Sequence, residues 1–463
     1  MQIFNTMSRR KEEFVPVQEG KVGIYACGPT VYNYFHIGNA RPFIIFDTLR
    51  RYLEFRGYEV TFVQNFTDID DKMINKAAEE GIEVCQLADQ YIQAYYEDAD
   101  ALGIRRADMN PRATEHIGEI VSLIDKLLKK GHAYESDGDV YYSVESFPDY
   151  GKLSGQPLEN LEAGARIEPG VGKRHPMDFA LWKAQKPGEP AWDSPWGSGR
   201  PGWHIECSAM ASHYLGETFD IHGGGQDLIF PHHENEIAQS EGACGKTFAK
   251  YWMHNGYINV DNRKMSKSVG NFFTVRDIAK EFDLEVVRFF MLSGHYRSPI
   301  NFSRELLQQA ESALERLQNA RDNMEFMIRN GEEGEAPESA HYRESLRDYE
   351  REFIAAMDDD LNTADAIGVL FELVRHANTY LTQTPKKREA AESLVMLERL
   401  SGVLGLLTKK EQEIPQEILA LAEKRQQARK EKDFARADAL RDEIGEKGYI
   451  LEDTPQGPKL KKA

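Results

Sequence analysis

Residues 21–29 have the sequence Lys-Val-Gly-Ile-Tyr-Ala-Cys-Gly-Pro, and this stretch decides the fold class. The short apolar run ends at Gly28-Pro29, as expected for a buried strand followed by a turn. Pro42 to Phe55 then carries apolar residues at helical spacing, and residues 60–66 resemble a second buried strand. A strand, a turn, a helix and a second strand form a βαβ unit. This unit predicts an α/β, Rossmann-like parallel sheet with ligands at the carboxyl ends of its strands.

Further elements of the same domain follow from local patterns. Residues 86–102 and 115–130 have the spacing of amphipathic helices. The sheet is expected to resume at Phe219–His222, with the three glycines at 223–225 as the turn after it.

The chain is too long for one ordinary core, since it has 463 residues. Pro, Gly and Trp become frequent after Gly131, and Asp137-Gly138-Asp139 predicts a hairpin there. From Ser303 onward apolar residues keep 3.6-residue spacing, which predicts a helical bundle. We therefore predict a nucleotide-binding catalytic domain in two halves, residues 1–130 and 201–302, with an inserted subdomain at 131–200 between them. An α-helical bundle at 303–407 and a small C-terminal domain at 408–463 are expected to follow.

The composition alone favours an acidic cytosolic enzyme. The formal net charge is −19, which does not indicate a nucleic-acid binder, although the last 55 residues carry 13 Lys+Arg against 12 Asp+Glu. We find no export leader at Met1 and no apolar run near 18 residues, so we expect a cytoplasmic protein without a membrane span. The chain has four cysteines, which favours metal-binding thiols over a disulfide framework.

Two short segments predict a nucleotide site. His36-Ile37-Gly38-Asn39 follows the first predicted strand, and Lys264-Met265-Ser266-Lys267-Ser268 occurs more than 200 residues later. A glycine-containing turn lets the main chain approach phosphates, and lysines on a loop can neutralise a leaving pyrophosphate. Each segment alone is weak evidence, since a Lys-rich turn is usually a solvated loop. Together, and in this order, they predict a site that holds ATP from two sides.

A third set of residues predicts a metal site. His232 and Glu236 are four residues apart, so on a helix they share one face, and Cys27 ends the first strand. With Cys207 they form a set of two thiolates, one imidazole and one carboxylate, which suits tetrahedral zinc. The spacing leaves alternatives open, because Cys207 can also be a buried small residue, and because further histidines compete as ligands, namely His204, His222 and His233.

These motifs and the metal set resemble those of the cysteinyl-tRNA synthetases, a family of class I aminoacyl-tRNA synthetases, along essentially the whole chain. The resemblance implies ATP-dependent activation of L-cysteine to cysteinyl-adenylate and its transfer to the terminal ribose of tRNA(Cys). It also implies one Zn²⁺ per chain in the amino-acid pocket, where the substrate thiol joins the ion as a thiolate. We also expect ATP to bind with Mg²⁺, the protein to be a monomer, and a separate editing domain to be unnecessary.

The resemblance assigns roles in the nucleotide site residue by residue. It places His36 near the α-phosphate and Gly38 under the adenine. Asn39 occupies a position that is usually His in this motif, so we expect no charged role for it. Lys264 and Lys267 are expected to meet the β- and γ-phosphates.

The same resemblance assigns Asp227 to the ATP-binding set, and it assigns Trp203 and Thr67 to the substrate pocket. Asp227 is expected to reach the adenosine ribose, Trp203 to form the pocket floor, and Thr67 to contact substrate. Each also has a structural interpretation. Asp227 can belong to an ordinary strand-to-helix turn, Trp203 can be a buried aromatic residue, and the segment of Thr67 can cap a helix.

The C-terminal third contains the expected RNA-facing elements. Met357–Ala364 includes three aspartates that would repel phosphate, so we expect this segment to cap a helix. The basic residues of the tail, such as Lys424 and Arg429, are on their own more typical of a solvated face. The resemblance assigns the bundle and the tail to reading the anticodon.

Two other functions compete with cysteine–tRNA ligation. A ligase that joins activated cysteine to a small amine would share every site above, but the bundle and tail of roughly 160 residues favour tRNA as acceptor. A non-catalytic tRNA-binding paralogue would be expected to lose a motif lysine or a zinc ligand, and all of them are present.

Overall fold

The computed structural model describes residues 1–156, 172–260, 263–264, 273–408, 414–454 and 457–462. The chain forms two compact units. The first comprises Met1–Glu311, Ala355–Asp365 and Val403–Gly405, and the second comprises Ser312–Ile354, Ala366–Gly402 and Leu406–Ala463. Within the described ranges, the helices are all too short or too polar to cross a membrane.

The first unit contains most of the strands. They are β1 (Gln2–Asn5), β2 (Arg10–Glu13), β3 (Lys21–Ala26), β4 (Glu59–Gln64), β5 (Ala133–Ser136), β6 (Asp139–Tyr142), β7 (Phe179–Ala184), β8 (Gly199–Pro201), β9 (Phe219–Gly225), β10 (Ala249–Asn255), β11 (Ile258–Val260), β12 (Arg263–Lys264) and β13 (Ile300–Phe302). Its helices are α1 (Ile37–Phe55), α2 (Asp71–Glu80), α3 (Val84–Ala101), α4 (Ile117–Lys129), α5 (Trp203–Leu215), α6 (Glu234–Cys244), α7 (Val275–Ile278) and α8 (Leu284–Leu292).

The centre of this unit is a four-stranded parallel sheet in the order β10-β9-β3-β4. Strands β3, β9 and β10 are largely buried, and β4 is buried in its second half, as expected for a sheet covered on both faces. The predicted Rossmann-like parallel fold is therefore confirmed. All four strands end at the same edge, which brings together Cys27 after β3, Asn65 after β4, and the ends of β9 and β10.

Helix α1 begins five residues before the predicted start at Pro42, so Ile37, Gly38 and Asn39 lie in its first turn. The apolar pattern missed this turn because Gly and Asn have low helix propensity. The helix packs against β9, where a Cβ on Gly223 would lie 2.0 Å from the ring of Phe46. Glycine at this position therefore permits close packing of helix on sheet.

The inserted region forms a separate four-stranded antiparallel sheet in the order β5-β6-β7-β8. The predicted hairpin is confirmed. Its two-residue turn has φ of 53° at Asp137 and 86° at Gly138, as in a type I′ turn. Buried Tyr142 and Trp182 belong to the core of this sheet. The chain returns through β8 directly into α5, which carries Cys207.

Helices dominate the rest of the chain, as predicted. They are α9 (Arg304–Asn330), α10 (Ser339–Asp358), α11 (Thr363–Gln383), α12 (Lys387–Val403), α13 (Gln416–Lys430) and α14 (Phe434–Glu446), followed by strands β14 (Tyr449–Thr454) and β15 (Gly457–Lys462). The Ser303 hydroxyl accepts a hydrogen bond from the Leu306 amide at 3.3 Å, as expected for an N-cap. The small C-terminal domain has its own core, built on Ile418, Leu421, Ile444 and Leu451.

The aspartate-rich turn between α10 and α11 belongs to the first unit. Asn362 caps α11 by accepting the Asp365 amide at 3.2 Å, which confirms the expected helix cap. The aspartate side chains instead form contacts with other residues of the first unit. Buried Asp360 accepts hydrogen bonds from Tyr296 Oη at 2.8 Å and Arg297 Nε at 2.6 Å.

Candidate active site

The structure brings the four predicted metal ligands together. The ligand atoms of Cys27, Cys207, His232 and Glu236 all lie within 4.8 Å of one another, and all four residues are buried. Cys27 comes from the end of β3, Cys207 from α5, and Glu236 from the first turn of α6. His232 lies in the π-helical turn that leads into α6, so the expected i, i+4 pairing with Glu236 is present across this junction.

The spacing within this set fits zinc. A tetrahedral ion with ordinary zinc bond lengths holds two sulfur ligands about 3.8 Å apart and a sulfur and an oxygen ligand about 3.5 Å apart. The Cys27 and Cys207 Sγ atoms are 4.0 Å apart, and Cys27 Sγ is 3.7 Å from Glu236 Oε1. His232 Nε2 is 3.1 Å from the same oxygen. The four groups can therefore surround one ion with only small movements.

The protonation states are set by burial and by mutual contacts. Burial, followed by the contact with Cys207, raises the pKa of the Cys27 thiol, whereas the hydrogen bond from Cys27 lowers the pKa of Cys207. Burial opposes ionisation of Glu236, but His222 and His232 lower the pKa of its carboxyl group to about 2. Burial also disfavours charge on His232, yet Glu236 raises the pKa of this imidazole to about 10. A cation that binds these groups must therefore displace protons from Cys27 and His232.

Other histidines surround the four ligands and orient them. His222 is completely buried, and its Nε2 lies 2.8 Å from Glu236 Oε2, which leaves Oε1 directed towards the cluster. His204 Nδ1 lies 2.9 Å from His232 Nδ1, so the second nitrogen of His232 is also held. Such partners fix the tautomer and ring orientation of ligating histidines. His222 and His233 also form a second candidate set with Cys27 and Glu236, so two of the three competing histidines reach ligand distance.

A cavity of about 460 Å³ opens beside this cluster at the carboxyl edge of the parallel sheet. Its lining includes Cys27 and Trp203 together with His36, Gly38 and Asn39. Ligands of Rossmann-like sheets bind at this edge. The cavity thus joins the metal cluster to the predicted nucleotide motif.

The remaining predicted residues differ in how the structure places them. Asp227 and Trp203 line the cavity, and Trp203 is 42% exposed, which excludes a buried structural role. Thr67 is buried, and its hydroxyl donates to Glu206 Oε2 at 3.0 Å, so its contact with substrate stays a prediction. For Lys264 only the main chain is described, and Lys267 lies outside the described residues.

Several residues at this site were not predicted. Lys72 and Asn255 line the cavity, and His254 lies beside the metal cluster near the end of β10. Their positions near the end of β10 and in the segment after β4 could have indicated a binding role, because parallel sheets bind ligands at the carboxyl edge of their strands. Sequence patterns did not show which of the many polar residues near this edge face the cavity.

The structure resembles known aminoacyl-tRNA synthetases. The Mycobacterium tuberculosis methionyl-tRNA synthetase in complex with methionyl-adenylate superposes with a TM-score of 0.61 at 16% identity, over 83% of this chain and 89% of that one. An Agrobacterium radiobacter LeuRS in a ternary complex with tRNA and LeuAMS gives a TM-score of 0.61 at 12% identity, over 85% of each chain. At this identity the likeness concerns the fold alone.

Sequence comparisons are more specific. Residues 13–312 match the tRNA synthetases class I (C) catalytic domain, 352–408 a DALR domain, and 411–458 the cysteinyl-tRNA ligase anticodon binding domain. The cysteine–tRNA ligases of Clostridioides difficile (strain 630) and Caldicellulosiruptor saccharolyticus are 58% and 56% identical to this chain, each over the full length of both proteins. The chain belongs to the cysteine–tRNA ligase family.

Proposed function

We propose that this chain activates L-cysteine with ATP and Mg²⁺ and transfers it to the terminal ribose of tRNA(Cys), as a cytoplasmic monomer with one zinc ion. The observation that carries this proposal is the cavity that joins Cys27 of the metal cluster to His36, Gly38 and Asn39. An amino acid held at one end by its side chain can thereby present its carboxylate to a nucleotide at the other end. The family resemblance supports the monomeric state and the location.

The first half-reaction needs no protein nucleophile. The cysteine carboxylate attacks the α-phosphorus of ATP, a bond forms between them, and pyrophosphate leaves with the bonding electron pair. The cavity has to align these two groups and stabilise the charge on the transferring phosphorus. His36 lies immediately before α1 and contributes to this part of the cavity. Lys264 and Lys267 would neutralise the leaving pyrophosphate, and Asp227 would hold the ribose hydroxyls.

The metal set supplies the side-chain specificity. Serine and cysteine have nearly the same shape, and an apolar pocket separates near-isosteres poorly. When bound by Cys27, Cys207, His232 and Glu236, zinc offers a thiophilic Lewis acid that favours the substrate's sulfur, ionised at neutral pH, over a hydroxyl. Cys27 lines the cavity, so the substrate side chain would approach the cluster from this side. Trp203 lies beside the metal cluster, and the centroid of its ring is 4.4 Å from that of the His232 ring.

The acceptor is tRNA rather than a small amine. The matches to a DALR domain and to an anticodon binding domain cover residues that a ligase for small amines does not need. These parts of the chain would supply the contacts that select one tRNA.

The test measures both half-reactions on the purified chain. Cysteine-dependent exchange of pyrophosphate into ATP should be rapid, and serine at the same concentration should support almost none. Charging should occur with tRNA(Cys) and should fail with small amines and with tRNAs that carry other anticodons. Exchange with cysteine but charging of a small amine alone would refute the tRNA assignment, and equal exchange with serine would refute the selectivity argument.

A further inference from the structure

Three side chains behind Cys27 form a continuous hydrogen-bonded row. His233 Nε2 lies 3.3 Å from Cys27 Sγ, and His233 Nδ1 lies 2.8 Å from His254 Nε2. His254 Nδ1 in turn lies 2.8 Å from the Thr6 hydroxyl. Both histidines are buried, and Thr6 is half-buried. We name Thr6, His254 and His233 the histidine row.

The chemistry of the groups fixes the direction of these hydrogen bonds. Burial lowers the pKa of His254 to about 3, so this ring is neutral near pH 7 and has one donor and one acceptor nitrogen. A cysteine that ligates a metal is a thiolate, which only accepts hydrogen bonds. His233 must then donate through Nε2, and in its neutral form it accepts through Nδ1. His254 therefore donates through Nε2, and its Nδ1 accepts the hydrogen of the Thr6 hydroxyl.

We propose that the histidine row is a positioning device for Cys27, in which three aligned hydrogen bonds orient and stabilise the ligating thiolate. This proposal rests on the zinc set proposed above. Aligned hydrogen bonds polarise one another, so the donor strength of His233 depends on His254 and Thr6. The row would thus control the sulfur of Cys27, a residue that lines the cavity, although Thr6 and His254 do not touch this sulfur.

The row also argues against His233 as a ligand. The alternative set of Cys27, His222, His233 and Glu236 would use the His233 Nε2 lone pair. His222 Nε2 is already hydrogen-bonded to Glu236 Oε2 at 2.8 Å, and that set would contain only one sulfur ligand. The two interpretations differ in outcome, because loss of a ligand abolishes a site, whereas loss of an outer partner typically weakens metal affinity by about 10- to 100-fold.

The test uses the full chain loaded with Co²⁺, whose absorption reports thiolate-to-metal charge transfer. The variants are Thr6→Val, which removes the hydroxyl with little change of shape, Thr6→Ser, which keeps it, and His254→Leu. Thr218→Val is the matched control, since its exposed hydroxyl donates to the Thr247 carbonyl in the same unit. Circular dichroism confirms folding, and competition with a chelator measures metal affinity.

We expect the charge-transfer band to move to lower energy in Thr6→Val and further in His254→Leu, because a less stabilised thiolate gives up its electrons more readily. Thr6→Ser and Thr218→Val should match the original chain. Metal affinity should fall by about 10- to 100-fold in His254→Leu and in His233→Leu.

Three outcomes would contradict these expectations in distinguishable ways. Unchanged bands in folded Thr6→Val and His254→Leu would overturn the proposal while leaving the zinc set intact. Complete loss of metal in folded His233→Leu would make His233 a ligand and would overturn it as well. Absence of thiolate-to-cobalt absorption in the original chain would overturn the zinc set and the histidine row together.

Discussion

At the scale of single residues, His232 is held at both of its nitrogens. Nδ1 lies 2.9 Å from His204, and Nε2 lies 3.1 Å from Glu236 Oε1. His232→Ala should remove a metal ligand, so bound zinc should fall from one per chain to almost none. The cysteine concentration needed for half-maximal pyrophosphate exchange should rise by more than about 100-fold, whereas that of ATP should change little.

Metal analysis and pyrophosphate exchange on the same sample check this prediction. His213→Ala is the control, because His213 is exposed and its contact with Glu119 is 3.5 Å long, so both readouts should stay unchanged. Normal activation of cysteine by a metal-free His232→Ala protein would falsify the role of the metal in the amino-acid pocket.

Gly28 gives a second test at this scale, because it lies in the cavity wall next to Cys27. An added Cβ would lie 1.6 Å from the Asn65 carbonyl oxygen, so the main chain has to shift in Gly28→Ala. We expect a loss of about 1–3 kcal/mol of stability and a marked fall in cysteine activation. Urea unfolding and pyrophosphate exchange measure the two effects.

Gly118→Ala is the matched control, since a Cβ at this position in α4 meets nothing within 4 Å. Alanine is the better helix former, so this variant should be as stable as the original chain or up to about 1 kcal/mol more stable. If Gly28→Ala is as stable and as active as Gly118→Ala, the close approach of Gly28 to the Asn65 carbonyl has no energetic importance.

The predictability of the site varies from residue to residue. The spacing of His232 and Glu236 was enough to predict that they face each other, because helical geometry relates i to i+4. Spacing alone could not link Cys27 to Cys207 across 180 residues, and there the family resemblance was needed. His254 was missed because several histidines lie near the same sheet edge, and only the packed structure shows which of them contact one another.

At the scale of secondary-structure elements, buried Arg288 on α8 ties several segments together. Its guanidinium donates to Asp47 Oδ2 on α1 at 2.6 Å, to the Gly103 carbonyl at 3.1 Å and to the Leu404 carbonyl at 2.7 Å. Arg288→Met would remove one of the positive charges that compensate the buried carboxylate of Asp47. It would also remove the hydrogen-bond donor of the two carbonyl groups. We expect a loss of about 3–5 kcal/mol in the free energy of unfolding.

Urea unfolding compares this variant with Arg106→Met. Arg106 is 60% exposed and pairs with Asp100 at 3.1 Å, so its removal should cost no more than about 1 kcal/mol. A cost for Arg288→Met as small as for Arg106→Met would show that the buried arginine does not hold these elements together.

Most elements were predictable because their patterns are local. Helices α3 and α4 lie within two residues of their predicted bounds, since both carry regular apolar stripes. The start of α1 and the extension of β9 through Gly225 were not predicted. In β9, Gly223 leaves room for the Phe46 ring of α1, and such a packing requirement leaves no periodic pattern in the local sequence.

At the scale of the whole molecule, sequence continuity did not show how the compact units are composed. Residues 355–365 and 403–405 belong to the first unit, although they follow the predicted end of the catalytic domain at 302 by more than 50 residues. Asp360 accepts hydrogen bonds from Tyr296 and Arg297, and the Leu404 carbonyl accepts one from Arg288. A fragment that ends at 302 would remove these acceptors, so the predicted domain boundaries are poor guides for truncation.

Truncation after Thr408 is therefore the better separation of the two half-reactions. It keeps every segment of the first unit, including Asp360 and Leu404, and it removes a domain with its own core and 13 Lys+Arg. We expect cysteine-dependent pyrophosphate exchange to stay near that of the full chain, because the metal cluster and the cavity are intact. The affinity for tRNA(Cys) should fall by roughly tenfold or more. The slope of the logarithm of this affinity against the logarithm of salt concentration should become shallower by about 0.7–0.9 for each phosphate that the truncated protein no longer binds.

Both assays are run on the same truncated protein after circular dichroism has confirmed folding, with the full chain as reference. A folded truncated protein that charges tRNA with full efficiency and full anticodon discrimination would contradict the assignment of residues 409–463 to tRNA recognition. The case for tRNA rather than a small amine as acceptor would then depend on the remaining helices alone.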